Sequence, residues 1–161
     1  DISKKRKPDI VYDISKNDVK KRIKFNPDVV TIFEVLEHVK NPDKAVQNIY
    51  KILKKKDVCL CSVPFNFHIH DEPNDFYRFT NYGLKYLFRN FQHVEIKRRN
   101  GWLESIFVNF VRLYFEKNYF SKLLGFGFAI LYFIFYPLII ILQKIFISNK
   151  LTTGYFVKAI K

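Results

Sequence analysis

The stretch Asp28-Val-Val-Thr-Ile-Phe-Glu-Val-Leu-Glu-His-Val39, running into Lys40-Asn-Pro-Asp43, decides how this chain is built. It opens as a short β-branched run introduced by Pro27-Asp28, and its polar end leads straight to a helix start. Asn41 is a good N-cap because its side-chain oxygen can accept from an otherwise orphaned amide. Pro42 suits the first helical position, and Asp43 favours the positive end of the helix dipole. Ala45, Ile49, Ile52 and Leu53 then fall on one helical face, and Lys54, Lys55 and Lys56 crowd the negative end. Working outward, Asp9-Ile-Val-Tyr-Asp-Ile14 and Val58-Cys-Leu-Cys-Ser-Val63 are two more short apolar runs, suited to parallel strands covered on both faces. A second helix is expected after Thr80, presenting Leu84, Leu87, Phe88 and Phe91. Val94–Lys97 and Tyr155–Ile160 read as two further strands. Strands alternating with helices predict an α/β, doubly wound sheet.

With 161 residues, 48% of them apolar and 18% aromatic, the chain can bury one ordinary core, which excludes disorder as its main state. Its 28 Lys and Arg against 15 acids give a net charge of +13. A nucleic acid, a membrane surface or an anionic substrate are the partner classes this leaves open. The chain contains no Met and opens at Asp1 without a signal-peptide pattern, so it reads as a fragment. Two Cys, at 59 and 61, make neither a disulfide framework nor a thiolate-rich zinc site. Two positions apart on a strand, they share a face and are assigned to the core, in a reducing compartment.

No charged residue lies between Lys122 and Lys144, and Leu123–Leu142 is an almost unbroken apolar run. Its length matches the roughly 20 residues that span a hydrocarbon core. Ahead of it, Leu103, Ile106, Phe107, Phe110 and Leu113 line one side of an amphipathic helix whose other side carries Glu104, Asn109, Arg112 and Glu116.

Three stretches carry the chemistry: Phe33-Glu-Val-Leu-Glu-His-Val39, Val63-Pro64-Phe65, and His70-Asp-Glu-Pro-Asn-Asp-Phe-Tyr-Arg-Phe-Thr80. In this order they resemble the class I S-adenosylmethionine-dependent methyltransferases, in the branch whose fourth strand ends in Glu-Val-Leu-Glu-His-Val. The resemblance covers about residues 1 to 100 and the last strand. It implies a Rossmann-like doubly wound sheet with an antiparallel last strand pair, lacking strand 1 and the Gly-rich loop in this fragment. S-adenosylmethionine is the implied cofactor. Asp1 would end the second strand and bind the ribose hydroxyls, Asp13 would end the third near the adenine amino group, and Glu34 would close the cofactor side.

Methyl transfer from a sulfonium is an in-line displacement, so the protein must align the acceptor and remove a proton when the nucleophile is a hydroxyl or amine. Glu34, Glu37 and His38 sit at the carboxyl edge of the sheet and reach one side if the segment turns helical. A related motif in the ubiquinone-pathway O-methyltransferases is linked with a divalent metal. The alternative is that Glu37 and His38 only cap the strand end by hydrogen bonding, and no metal is assigned. In Phe65-Asn-Phe-His-Ile-His70 an extended backbone places His68 and His70 on one side. His70, Asp75, Tyr77 and Arg78 match the family's His-x-x-Pro-x-Asp-Tyr-x-Arg pattern over the acceptor pocket. His70 and His38 are therefore the candidate catalytic residues, and Glu37, Phe65, Asp75, Tyr77 and Arg78 the candidate acceptor-binding ones. An Asp75–Arg78 ion pair that merely fixes the loop is the competing reading.

The family's sixth and seventh strands pair antiparallel, yet here Lys97 and Gly154 are more than fifty residues apart. The chain thus divides into a methyltransferase domain (1–100), an apolar helical insert (101–153) and the last strand (154–161). If the two strands pair, both ends of the insert share a compartment, and a single membrane crossing would strand one of them. A monotopic anchor on the cytoplasmic face is therefore expected, kinked near Pro137, with Trp102, Tyr114, Tyr119, Tyr132 and Tyr136 at headgroup depth. Basic residues at 97–99, 112, 117, 122, 144 and 150 would face anionic lipid. A homodimer interface and a true span are the alternatives. The leading function is methyl transfer to a small-molecule or lipid-linked, quinone-like or glycan acceptor. A catalytically silent scaffold is the second reading. A nucleic-acid module resting on Lys4-Lys-Arg-Lys7 and Lys20-Lys-Arg22 is the third and is set aside, since no groove-reading or zinc motif accompanies them.

Overall fold

The computed structural model describes residue 5, residues 7–146, residue 148 and residues 150–161. After a short helix α1 (Val19–Arg22), strand β1 (Val29–Phe33) leads through a 3₁₀ turn at Leu36–His38 into helix α2 (Pro42–Ile52). Strand β2 (Val58–Pro64), helix α3 (Asn81–Leu87) and strand β3 (His93–Arg98) follow. Helices α4 (Trp102–Val111) and α5 (Tyr119–Ile145) precede the last strand, β4 (Gly154–Ile160). The caps are those the sequence prescribes: Asn41 accepts from the Lys44 amide, and Thr80 from the Gly83 amide.

The sheet has the order β1-β2-β4-β3. β1 and β2 run parallel, from Val29 opposite Val58 to Phe33 opposite Ser62, and α2 is their crossover. β4 enters between β2 and β3, antiparallel to both, with Val58 opposite Ile160 and His93 opposite Ile160. This is the expected α/β sheet with an antiparallel last pair. Cys59, Cys61 and Val63 on β2 and Tyr155, Val157 and Ala159 on β4 point to one face. There they meet Ala45, Val46 and Ile49 of α2, Leu84 and Leu87 of α3, and Phe88 at the end of α3. Burial pushes the Cys59 thiol up to about 12 and Cys61 in the same direction, so both are inert core residues. On the opposite face the helical cover expected on both sides is not complete among the described residues: Val29, Phe33 and Phe156 are about half exposed.

One expected strand is absent. Residues 9–14 run without strand pairing. The fully buried Asn48 of α2 donates to the carbonyls of Ile14 (2.8 Å) and Lys16 (2.6 Å), taking acceptors a neighbouring strand would use. Asp13 ends the run by accepting from the amide and hydroxyl of Ser15, a local turn that competes with extension.

The segment between β3 and β4 is a helical hairpin. Residues of α5 retrace α4 in reverse order: Phe128 stacks on Phe110, Tyr132 meets Phe107, and Gln143 donates to Glu104. Gly125 lets α5 approach the 3₁₀ turn after α4, because a Cβ there would lie 2.1 Å from the Tyr114 amide nitrogen. The hairpin leaves and rejoins the sheet at one point. The Asn100 side-chain oxygen accepts from the hydroxyls of Ser105, Thr152 and Thr153 and from the Thr153 amide. α5 is continuous through Pro137, and its outward side chains, among them Phe126, Ile130, Phe133, Ile134 and Ile141, are exposed.

Candidate active site at the carboxyl edge of the sheet

In an open α/β sheet ligands bind beyond the carboxyl ends of the strands. Beyond β1 stands Glu34-Val-Leu-Glu-His38, and beyond β2 the loop 65–78. Glu34 is left-handed, with φ 51°, a backbone state costly for a side chain with a Cβ. From there the chain enters the 3₁₀ turn. The Glu37 carbonyl then accepts from the amides of Phe76 (2.8 Å) and Tyr77 (3.3 Å), tying the two loops together.

The turn separates residues that the sequence reading grouped. Glu34 accepts from the Ser62 hydroxyl (2.7 Å) and pairs with Arg99. Glu37 and His38 go the other way and meet His70. The Nε2 atoms of His38 and His70 lie 3.7 and 3.8 Å from Glu37 Oε1. The two rings meet edge to face at 4.9 Å. Glu37 is fully buried with neither carboxylate oxygen hydrogen-bonded, and burial pushes its carboxyl up to about 7. A fully buried carboxyl of this kind is a functional-site signature with a physical cause.

The loop is braced by Asp75, whose two oxygens accept from Arg78 Nη1 (2.6 Å) and Nη2 (2.7 Å) in a fork. Asp75 also accepts from the His70 amide at 2.9 Å and faces His70 Nδ1 at 3.3 Å. The Arg78 guanidinium holds the Asp75 carboxyl well below the usual aspartate range. Arg78 also donates to the carbonyls of Phe67 and His68. The ion pair read as the structural alternative is therefore present, and it orients His70 rather than leaving it solvated. The His68 ring packs against Phe67 at 4.5 Å and lies 6.0 Å from the His70 ring; burial and the nearby Arg112, which lies over the Phe67 ring, lower its pKa.

The remaining predicted residues are placed as follows. Phe65 packs on Tyr155 and borders the core. Tyr77 stacks on Phe79 and donates to the Lys40 carbonyl, at the rim of a surface depression of about 560 Å³ beside the start of α2. Asp13 is satisfied by Ser15, and Asp1 lies outside the described residues. The carboxylates expected on the cofactor side, Asp13 and Glu34, are thus both bonded within the chain. Sequence reasoning missed Arg99 and Ser62, which occupy Glu34, and the Asn100 hub. Arg99 is 65 positions from Glu34 in the chain, so no local pattern could pair them.

A parallel β1–α2–β2 unit, an antiparallel last pair and an acid-and-imidazole cluster at the carboxyl edge define a Rossmann-like methyltransferase fold. The sequence model of the methyltransferase-domain family matches residues 3–107, and the chain belongs to that family. Its structure is similar to that of a SAM-dependent methyltransferase from Archaeoglobus fulgidus, with a TM-score of 0.51 at 12% identity. That match covers 91% of this chain and 66% of the archaeal one. Phosphoethanolamine N-methyltransferase 2 of Haemonchus contortus, in complex with S-adenosyl-L-methionine, aligns with a TM-score of 0.48 at 18% identity. This covers 85% of the chain and 34% of the nematode enzyme, so the chain spans about a third of that relative's length. No curated protein sequence matches the chain.

Proposed function

We propose that the chain is part of an S-adenosylmethionine-dependent methyltransferase that works on the cytoplasmic face of a membrane, on a lipid-linked, quinone-like or glycan acceptor. The observation that carries the chemistry is the Glu37/His38/His70 cluster, set at the carboxyl edge of a sheet in a chain of the methyltransferase-domain family. His70 is the proposed general base. Its Nδ1 is directed to Asp75, leaving Nε2 to accept a proton from an acceptor hydroxyl or amine. His38 has the same disposition, with Nδ1 on the Asn74 carbonyl at 2.8 Å. The methyl donor supplies the electrophile; the chain's own residues orient the acceptor and take its proton.

The membrane reading rests on α5, 27 residues or about 40 Å of helix whose outer face is apolar and uncharged from 123 to 143. Asn100 and Thr152–Thr153 hold both ends of the hairpin together, which favours a monotopic element over a single crossing. Lys117 and Lys122 near its tip, and Lys144 and Lys150 near its base, suit an anionic surface.

Titration calorimetry of S-adenosylmethionine into the natural full-length protein should give saturable binding that Asp1→Ala weakens; a folded protein that binds none would overturn the enzyme reading. In vesicle flotation, full-length protein should rise with phosphatidylserine vesicles and a variant lacking 120–147 should stay at the bottom. Equal flotation of both would remove the anchor.

A further inference from the structure

We infer that Glu37, His38 and His70 form a binding site for a zinc-class divalent metal ion, with one carboxylate oxygen and the two imidazole Nε2 atoms as its ligands. Four observations converge on it. The Glu37 carboxylate is completely buried, and neither oxygen has a hydrogen-bond partner. An unsatisfied buried carboxylate is costly and calls for a proton or a cation. Both imidazoles direct Nε2 at the same oxygen, at 3.7 and 3.8 Å, too far to hydrogen-bond. A tetrahedral ion with metal–ligand bonds of about 2.0–2.2 Å separates its ligand atoms by roughly 3.3–3.5 Å; both distances to Glu37 Oε1 are within a few tenths of an ångström of that spacing, and the three ligand atoms all lie within 4.8 Å of one another.

The far side of each ring is already arranged for metal binding. His38 Nδ1 faces the Asn74 carbonyl, which can only accept, so Nδ1 carries the proton and Nε2 the lone pair. His70 Nδ1 faces Asp75, itself locked by the Arg78 fork, which sets the same tautomer. Such carbonyl and carboxylate partners fix ring orientation and raise ligand basicity in metal sites. Two nitrogens and one oxygen suit zinc and its neighbours better than calcium or magnesium, which prefer all-oxygen shells. Asp71, on the solvent side at 4.0 Å from His38 Nε2, borders the fourth position.

The ligand set is not the Glu34/Glu37/His38 triplet of the sequence motif, because Glu34 is held by Arg99 and Ser62 on the other side of the turn. The inference stands without the methyl-transfer reading. Where a metal is bound, the Nε2 lone pairs are committed to it, so general-base action by His70 belongs to the metal-free form.

The test uses the full chain, stripped with chelator, in the absence of S-adenosylmethionine. Zinc chloride titrated at pH 7.5 against a chromophoric competitor should bind at one equivalent with a Kd in the micromolar range or tighter, and cobalt(II) should give the visible bands of a tetrahedral N/O site. Glu37→Gln and His70→Ala should each weaken binding by 100-fold or more. Asp75→Asn should weaken it by about 10–100-fold through the outer shell, and Glu34→Gln should leave it unchanged. Absence of saturable binding by the unsubstituted chain overturns the inference even if the variants misfold. So does binding that survives Glu37→Gln in a folded protein, or that depends on Glu34 instead.

Discussion

The brace between Asp75 and Arg78 can be tested quantitatively. Asp75 is almost wholly buried and receives both guanidinium nitrogens and the His70 amide, while Arg78 keeps about a quarter of its side chain exposed. Truncating one partner of a buried pair costs about 3–5 kcal/mol because the other charge is left uncompensated. With Arg78 partly solvated and still bonded to the Phe67 and His68 carbonyls, the lower end, about 3 kcal/mol, is expected for Asp75→Ala. Arg78→Ala should cost a similar amount and the double variant about 4 kcal/mol, a coupling of about 2 kcal/mol. Urea denaturation of the four proteins at pH 7 measures it. The pair holds the Asp75 carboxyl below its usual range, so its contribution is present above about pH 4, the ordinary aspartate value, and is lost as pH falls below it. The Asp75→Ala protein should therefore lack part of the acid-induced loss of stability. Additive single effects, with coupling under about 0.5 kcal/mol and an unchanged acid limb, would refute the assignment of this pair as the loop's brace.

Three further outcomes follow from the same structure. In chelator-treated protein the raised Glu37 carboxyl, at about 7, makes stability full below its ordinary value and lets it fall as pH rises through 7; Glu37→Gln should flatten that decline, worth about 3 kcal/mol, in denaturation curves from pH 5 to 8. Asn100→Ala should lower the unfolding midpoint, by the loss of several buried hydrogen bonds worth about 1 kcal/mol each, and speed amide exchange at Thr153. Gly125→Val forces a side chain onto the Tyr114 backbone, and thermal unfolding should show the hairpin destabilised by about 1–3 kcal/mol, whereas Gly127→Ala, with open space around it inside the same helix, should stabilise it by about 0.5–1 kcal/mol.

Much of the α/β sheet was legible because its signals are local. Val29–Phe33 and Val58–Pro64 are short apolar runs between turn residues, and Asn41-Pro42 and Thr80 cap helices through bonds only three residues long. The run 9–14 looked the same but ends in a turn instead: Asn48 takes the carbonyl of its last residue, Ile14, and Asp13 bonds back to Ser15. The motif residues were likewise visible, but not their grouping. Glu34, Glu37 and His38 lie within five positions, and a single left-handed residue sends Glu34 to one side and the other two to the opposite one.

Apart from the run 9–14, the sequence by itself determined the element types, the core faces, the family resemblance and the uncharged length of α5, all of which depend on neighbours within a few residues. Only the tertiary structure decided that His70 meets Glu37 and His38, that Arg99 occupies Glu34, and that Asn100 closes the hairpin onto Thr152 and Thr153. Those contacts join side chains 32 to 65 positions apart, the hairpin's being 52 and 53. Their partners are chosen by where the β-sheet brings loop ends together, a geometry that no local pattern of residues encodes.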